Sequence, residues 1–244
     1  MSEAGRHVAI WDEAFAFQGP GADAARVEHQ ALLVCLALGA PYGFSARGSA
    51  MAPCTGLVLA PHVPHGYRAE GCRILSVFVE PESPLGRRIT LARLSSTDVA
   101  PFEAAWVASF VERTEGLLVE ARARALLAEI VPADAPLAAL DPRVAQALSW
   151  ARAHLSEDPT LATMAARAGL STERFRHLFR IEVGTPLRRW LRWARLRRAV
   201  ELALAGASLT SAAHEAGFSD QAHLSRTFSG MFGLSPFAAR PDGR

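Results

Sequence analysis

The 244-residue chain is half hydrophobic and carries a formal net charge of +2, which allows one large or two modest cores. Its longest near-continuous apolar run, 31–38, is too short to span a bilayer, and Met1-Ser2-Glu3-Ala4-Gly5-Arg6 lacks the pattern of a signal peptide. Three cysteines, Cys35, Cys54 and Cys72, all in one half, do not make a disulfide framework; a cytoplasmic protein with no membrane partner is expected. The charge is uneven: residues 1–140 hold 11 Arg against 15 Asp and Glu, a net of −4, and residues 141–244 hold 15 Arg against 9, a net of +6. The second half therefore suits a polyanionic partner.

In chain order, strands are predicted at 31–38, 56–60, 66–69 and 73–80, separated by Gly39-Ala40-Pro41, Gly48-Ser49, Pro61 with Pro64, and Pro81-Glu82-Ser83-Pro84. Short strands with regular breakers point to a small sandwich or barrel. Helices are expected at 99–112, with Phe102, Trp106 and Phe110 in one stripe, and at 117–130. These stripes either cover the barrel or pair two subunits into a homodimer. Val131-Pro132-Ala133-Asp134-Ala135-Pro136 reads as a linker, placing a domain boundary between residues 135 and 136. Asp141 and Pro142 then read as N-cap and first residue of a helix to Leu155 that buries Val144, Leu148 and Trp150 or Ala151.

The remainder contains one pattern twice, at 161–186 and 209–236. An alanine stands four residues before a glycine (Ala165 and Gly169; Ala213 and Gly217), with Ala168 or Ala216 directly ahead of it. Leu170-Ser171 or Phe218-Ser219 follows. Two apolar residues four apart come next (Phe175 and Phe179; Leu224 and Phe228), then Gly184 and Pro186, or Gly233 and Pro236. A short helix stops at a glycine in the left-handed conformation. Ser171, and Ser219 or Asp220, can cap a second helix, and Ala165 and Ala213 permit close helix crossing. This is a helix-turn-helix in tandem, whose second helices can enter a major groove. Residues 185–205 form one expected helix with Pro186 in its first turn, roughly 30 Å long, close to the roughly 34 Å of one turn of B-DNA.

From about Asp141 to Arg240 the chain resembles the DNA-binding domain of the AraC/XylS family of bacterial transcription regulators. The resemblance rests on Ala168-Gly169-Leu170-Ser171, Phe179, Gly184, Pro186, Arg195-Leu196 with Ala199, Gly217-Phe218, Phe228, and Phe232-Gly233-Leu234-Ser235-Pro236 with Arg240. Ala212 and Ser229-Gly230 depart from it; the family usually has a larger aliphatic at the first and basic residues at the second. Residues 57–65 with the strand and Pro81-Glu82-Ser83 after them are more loosely similar to the cupin-like sensor domains of such regulators. The fold expected is multi-domain: a cupin-like β-barrel with two helices over 1–135, and an all-α domain with two helix-turn-helix units joined by a long helix over 136–244. The resemblance implies double-stranded DNA and a small-molecule effector as partners, and RNA polymerase if the protein activates.

With Phe175, Leu178 and Phe179 inward, Thr172, Glu173, Arg176, His177 and Arg180 face outward. Arg176 and His177 are the expected base readers, Glu173 a cytosine acceptor or an orienting group, and Arg180 a phosphate contact. In the second unit Gln221, Ala222, Ser225, Arg226 and Ser229 face outward, with Gln221 and Arg226 as readers. The arginines of the connecting helix encircle its axis and cannot all face DNA; the resemblance gives Arg195 an internal role.

In the first half, His29, His62 and His65 lie near Cys54 and Cys72 in sequence. A cupin pocket can gather such groups as metal ligands, but the H-x-H and Glu pattern of metal cupins is absent. Polar groups of an organic effector pocket are expected, with no metal or cofactor. No Ser-His-Asp set, phosphate loop or carboxylate pair stands out, so no catalysis is expected; the alternative is a cupin-type metalloenzyme fused to a DNA-binding domain.

Overall fold

The structure is a computed structural model and describes residues 5–132 and 139–233. Two compact units make up the chain, Met1–Leu137 with Ser229–Arg244, and Ala138–Phe228. Linker residues 133–136, the expected boundary after 135, and Leu234-Ser235-Pro236 with Arg240 lie outside the described residues.

Ten strands build the first unit: β1 (His7–Trp11), β2 (Ala14–Pro20), β3 (Asp23–Val27), β4 (Leu32–Ala37), β5 (Tyr42–Ala46), β6 (Ala52–Cys54), β7 (Gly56–Leu59), β8 (His65–Arg68), β9 (Arg73–Val79) and β10 (Val99–Pro101). They form a large sheet, β1-β2-β9-β4-β7-β10, and a small one, β3-β8-β5-β6. Every pairing is antiparallel. Among the described residues no strand pairs from one sheet to the other, so the expected barrel is not closed. Two of the sheet edges are blunted by proline, Pro53 in β6 and Pro101 in β10, which cannot donate to a further ladder.

Alternation along β4 and β9 puts Leu32, Val34 and Leu36 with Leu75, Val77 and Val79 on one face. That face packs against helices α1 (Pro84–Arg93), α2 (Ala104–Arg113) and α3 (Val119–Ile130) through Ile89, Phe110 and Leu126. Buried Arg122 of α3 is satisfied by Gln18 at 2.8 Å and by the Thr114 carbonyl.

The predicted helix at 99–112 is corrected at its start. Val99–Pro101 pairs with β7 as a strand, and the Phe102 amide donates to the Gly56 carbonyl at 2.9 Å, so the helix begins at Ala104. Helix α1 was not anticipated, although Ser83 caps it and Pro84 opens it; those residues also read as a chain break. Among the described residues no helix is long and apolar enough to cross a membrane.

The second unit is helical: α4 (Pro142–Ala153), a turn of 3-10 helix (Leu155–Glu157), α5 (Leu161–Arg167), α6 (Thr172–Val183), α7 (Leu187–Leu204), α8 (Leu209–Glu215) and α9 (Gln221–Phe232), whose last four residues group with the first unit. Asp141 caps α4 through the Arg143 amide at 2.9 Å, and α4 buries Val144, Leu148 and Ala151, with Trp150 at the margin. The Arg143 guanidinium, hydrogen-bonded to the Asp141 carboxyl, pulls that carboxyl down to about 2. Helix α7 is the expected connecting rod, about 27 Å long at 1.5 Å per residue. Pro186 is its N-cap, just ahead of the first turn.

Candidate nucleic-acid interface

Both helix pairs are built from local rules. Thr160 and Thr163 cap α5 reciprocally; it ends at Ala168, and Gly169 turns the chain at φ +64°. The Ser171 hydroxyl then accepts from the Arg174 amide at 3.3 Å and opens α6. In the second pair the Ser208 hydroxyl accepts from the Ser211 amide at 3.1 Å, and Gly217 turns the chain at φ +84°. Asp220 caps α9, accepting from the His223 amide at 2.6 Å, and the Ser219 hydroxyl donates to its other oxygen at 3.0 Å. Those two hydrogen bonds, the amide first, hold the Asp220 carboxyl below its usual range. Ala165 and Ala213, on the first helix of each pair, are fully buried.

Phe175, Phe179 and Val183 are the buried stripe of α6. Glu173, Arg176, His177 and Arg180 are all exposed. Glu173 and Arg176 form an ion pair one turn apart, which steers the guanidinium along the helix. Two exposed residues were missed: Arg174, and Ile181, which is 64% exposed on the outer side of α6. Helical spacing alone places both away from Phe175 and Phe179; attention to polar readers passed over Ile181.

On α9, Leu224, Phe228 and Met231 are buried, Arg226 is exposed, and Gln221 and Ser225 are half-buried. Gln221 is not free. Its Oε1 accepts from the Thr210 hydroxyl of α8 at 2.9 Å, leaving its amide N–H groups as the part available outward. Sequence spacing gives no sign of that cross-helix bond.

The arginines of α7 divide into two groups. Arg188, Arg189, Arg192 and Arg198 are exposed, whereas Arg197 is buried beside Glu201 at 3.2 Å. Arg195 reaches inward to Asp158 at 2.5 Å and the Leu155 carbonyl at 3.4 Å. A groove of about 410 Å³ lies between α6 and the start of α7, with Arg176, Arg180 and Arg188 on its walls.

In the first unit His29 and His65 come together, their rings 5.1 Å apart, while His62 turns to Glu28 at 3.7 Å. Burial, above all, pushes His29 down to about 3 and lowers His65. Cys54 instead donates toward the Tyr42 hydroxyl at 3.7 Å, and Cys72 toward the Pro41 carbonyl at 3.6 Å. Among the described residues no three His, Cys, Asp or Glu converge to hold a metal ion.

Residues 164–241 match the family model of a helix-turn-helix domain. Comparison with curated proteins returns no match. Among solved structures, ToxT from Vibrio cholerae shares the fold at 9% identity and a TM-score of 0.59, over 92% of this chain and 97% of that one. ToxT has also been solved with an unsaturated fatty acid bound, at a TM-score of 0.55, 9% identity, and 97% and 95% coverage. An AraC-type regulator from Chromobacterium violaceum is 27% identical over 41% of this chain and 89% of that one, with a TM-score of 0.38. The DNA-binding domain of AdpA, solved with a target DNA, is 32% identical over 39% and 87%, with a TM-score of 0.37. The matched segment runs from within α5 through the rod α7 to α9, and the chain belongs to the AraC/XylS family of transcription regulators.

Proposed function

We propose that the protein reads double-stranded DNA through α6 and α9 and that its N-terminal unit senses a small molecule. The domains are read as 1–135 for sensing and 136–244 for DNA. The observation that carries this reading is the pair of capped second helices, each exposing an arginine, Arg176 and Arg226, on the side away from its buried stripe. An arginine can bond the two major-groove acceptors of a guanine. His177 reads beside Arg176, and Glu173 orients Arg176 or accepts from a cytosine. With its oxygen held by Thr210, Gln221 donates to a base acceptor, and Ser225 lies alongside. Arg180 of α6 and Arg188 of α7, which both line the groove beside the α7 N-terminus, hold a backbone phosphate.

The two-sheet unit is read as an open variant of a cupin-like sensor with His29 and His65 inside it and His62 at the rim. ToxT, of the same fold, binds a fatty acid, which supports an effector there. A homodimer through α2 and α3, and a contact with RNA polymerase if the protein activates, complete the proposal. Titrating the full chain with a random duplex pool at low salt tests it; absence of any DNA affinity refutes it.

A further inference from the structure

The large sheet has two chemically different faces. Its helix-facing side is aliphatic apart from Trp11 and from Gln18, which bonds Arg122 of α3. The alternate residues Phe15, Leu33, Cys35, Ser76 and Phe78 are also buried but lie outside that aliphatic cluster. Of these, Phe78 meets rings carried by or near the small sheet: it is 5.3 Å from His29, which is 5.1 Å from His65, itself 5.9 Å from Phe44. Cys35 lies 3.6 Å from the Ser76 hydroxyl.

None of these groups carries a charge at neutral pH. Burial raises the Cys35 thiol to about 11 and lowers both histidines, no Arg, Asp or Glu is among them, and the chain has no lysine. The Nδ1–H of His29 donates to the Ala31 carbonyl at 2.9 Å and that of His65 to the Val63 carbonyl at 2.9 Å. Each ring therefore presents Nε2 as a lone-pair acceptor. His29 Nε2 is buried without a partner, and so are both amide atoms of the adjacent Gln30. Buried polar atoms are nearly always paired, so three orphans on two consecutive residues call for a missing partner.

Resting on the reading of this unit as a sensor, we propose that its effector is an uncharged, ring-bearing molecule that donates a hydroxyl or N–H to Nε2 of His29, and is not a carboxylate. A carboxylate here would set an acceptor against Nε2 of His29, with only the Gln30 amide N–H to meet it, and would lose its water with no cation among these described residues to replace it. Aromatic neighbours such as Phe44 and Phe78 suit a flat ring.

The test is calorimetric titration of the full chain at pH 7 with four probes: phenol, anisole, benzoate and decanoate. Phenol is expected to bind, anisole (the same ring with the donor blocked) about tenfold more weakly, and the two carboxylates not at all. His29→Phe should bring phenol down to the anisole level and leave anisole unchanged. Should that variant not fold, the phenol-to-anisole ratio in the unaltered protein decides alone. Equal binding of phenol and anisole, or tighter binding of either carboxylate, overturns the inference and leaves the sensor reading standing. Binding of none of the four removes the sensor reading together with the inference.

Discussion

Arg195 donates to Asp158 across 2.5 Å while the same guanidinium reaches the Leu155 carbonyl at 3.4 Å. That carbonyl is also where a Cβ on Gly217 would arrive, 2.4 Å away, with Arg195 Nε 2.9 Å from it. One turn after α4 thus anchors the connecting rod α7 and the turn of the second helix pair together. Asp158 itself holds a left-handed conformation at φ 52°.

The two turn glycines should therefore differ. Gly169→Ala enters open space and meets only the left-handed backbone penalty, about 1 kcal/mol. Gly217→Ala meets that penalty plus the Leu155 carbonyl and should lose about 3 kcal/mol. Urea unfolding of the two variants measures the gap, and equal losses would show that the close approach is relieved cheaply.

At the anchor, Asp158→Asn keeps a residue tolerant of the left-handed region and removes an ion pair whose acid is 80% exposed. Its effect should stay below about 0.5 kcal/mol. Arg195→Met should cost about 1 kcal/mol, because it also removes the donor to a partly buried carbonyl. A larger loss for Asp158→Asn than for Arg195→Met in the same unfolding assay would reverse this assignment.

Acid should weaken the N-terminal unit through His29. Its folded pKa, about 3, lies below the ordinary 6.5 because burial opposes the charge. Between those values the unfolded chain binds the extra proton, so stability falls as pH drops below about 6.5 and levels off near 3. One such group gives a slope of up to roughly 1.4 kcal/mol per pH unit. Stability measured from pH 7 to pH 4 should fall less steeply in His29→Phe than in the unaltered chain; identical slopes would mean that His29 is not buried neutral.

Base and phosphate contacts separate by their salt dependence. Arg180→Ala and Arg188→Ala should each weaken binding to all sequences alike and lower the salt slope by about 1. Thr210→Val frees the Gln221 oxygen and should change base preference at the second site while leaving the salt slope alone. A preference altered by Arg188→Ala would place that residue among the readers instead.

Legibility in the sequence followed local chemistry. The caps at Asp141, Ser171 and Asp220, the glycine turns, and the stripes through Phe175 and Leu224 are set by neighbours three or four residues apart, and all could be read. Strands β1, β2, β3, β5 and β6 could not, because segments such as Ala14–Pro20 and Ala52–Cys54 owe their pairing to distant partners. The same holds at the candidate sites. Exposure of Arg176 and Arg226 follows from helical period, whereas the Thr210–Gln221 bond and the meeting of His29 with His65 depend on packing between elements.

Selection of bound duplexes by the full chain and by Arg176→Ala and Arg226→Ala tests the central claim most directly. The account predicts two preferred base clusters about one helical turn apart on one face of the duplex. Arg176→Ala should relax the first and Arg226→Ala the second, each by about 1–3 kcal/mol of discrimination, with the stronger preference in the first. A single cluster, or preferences unchanged in both variants, would contradict it.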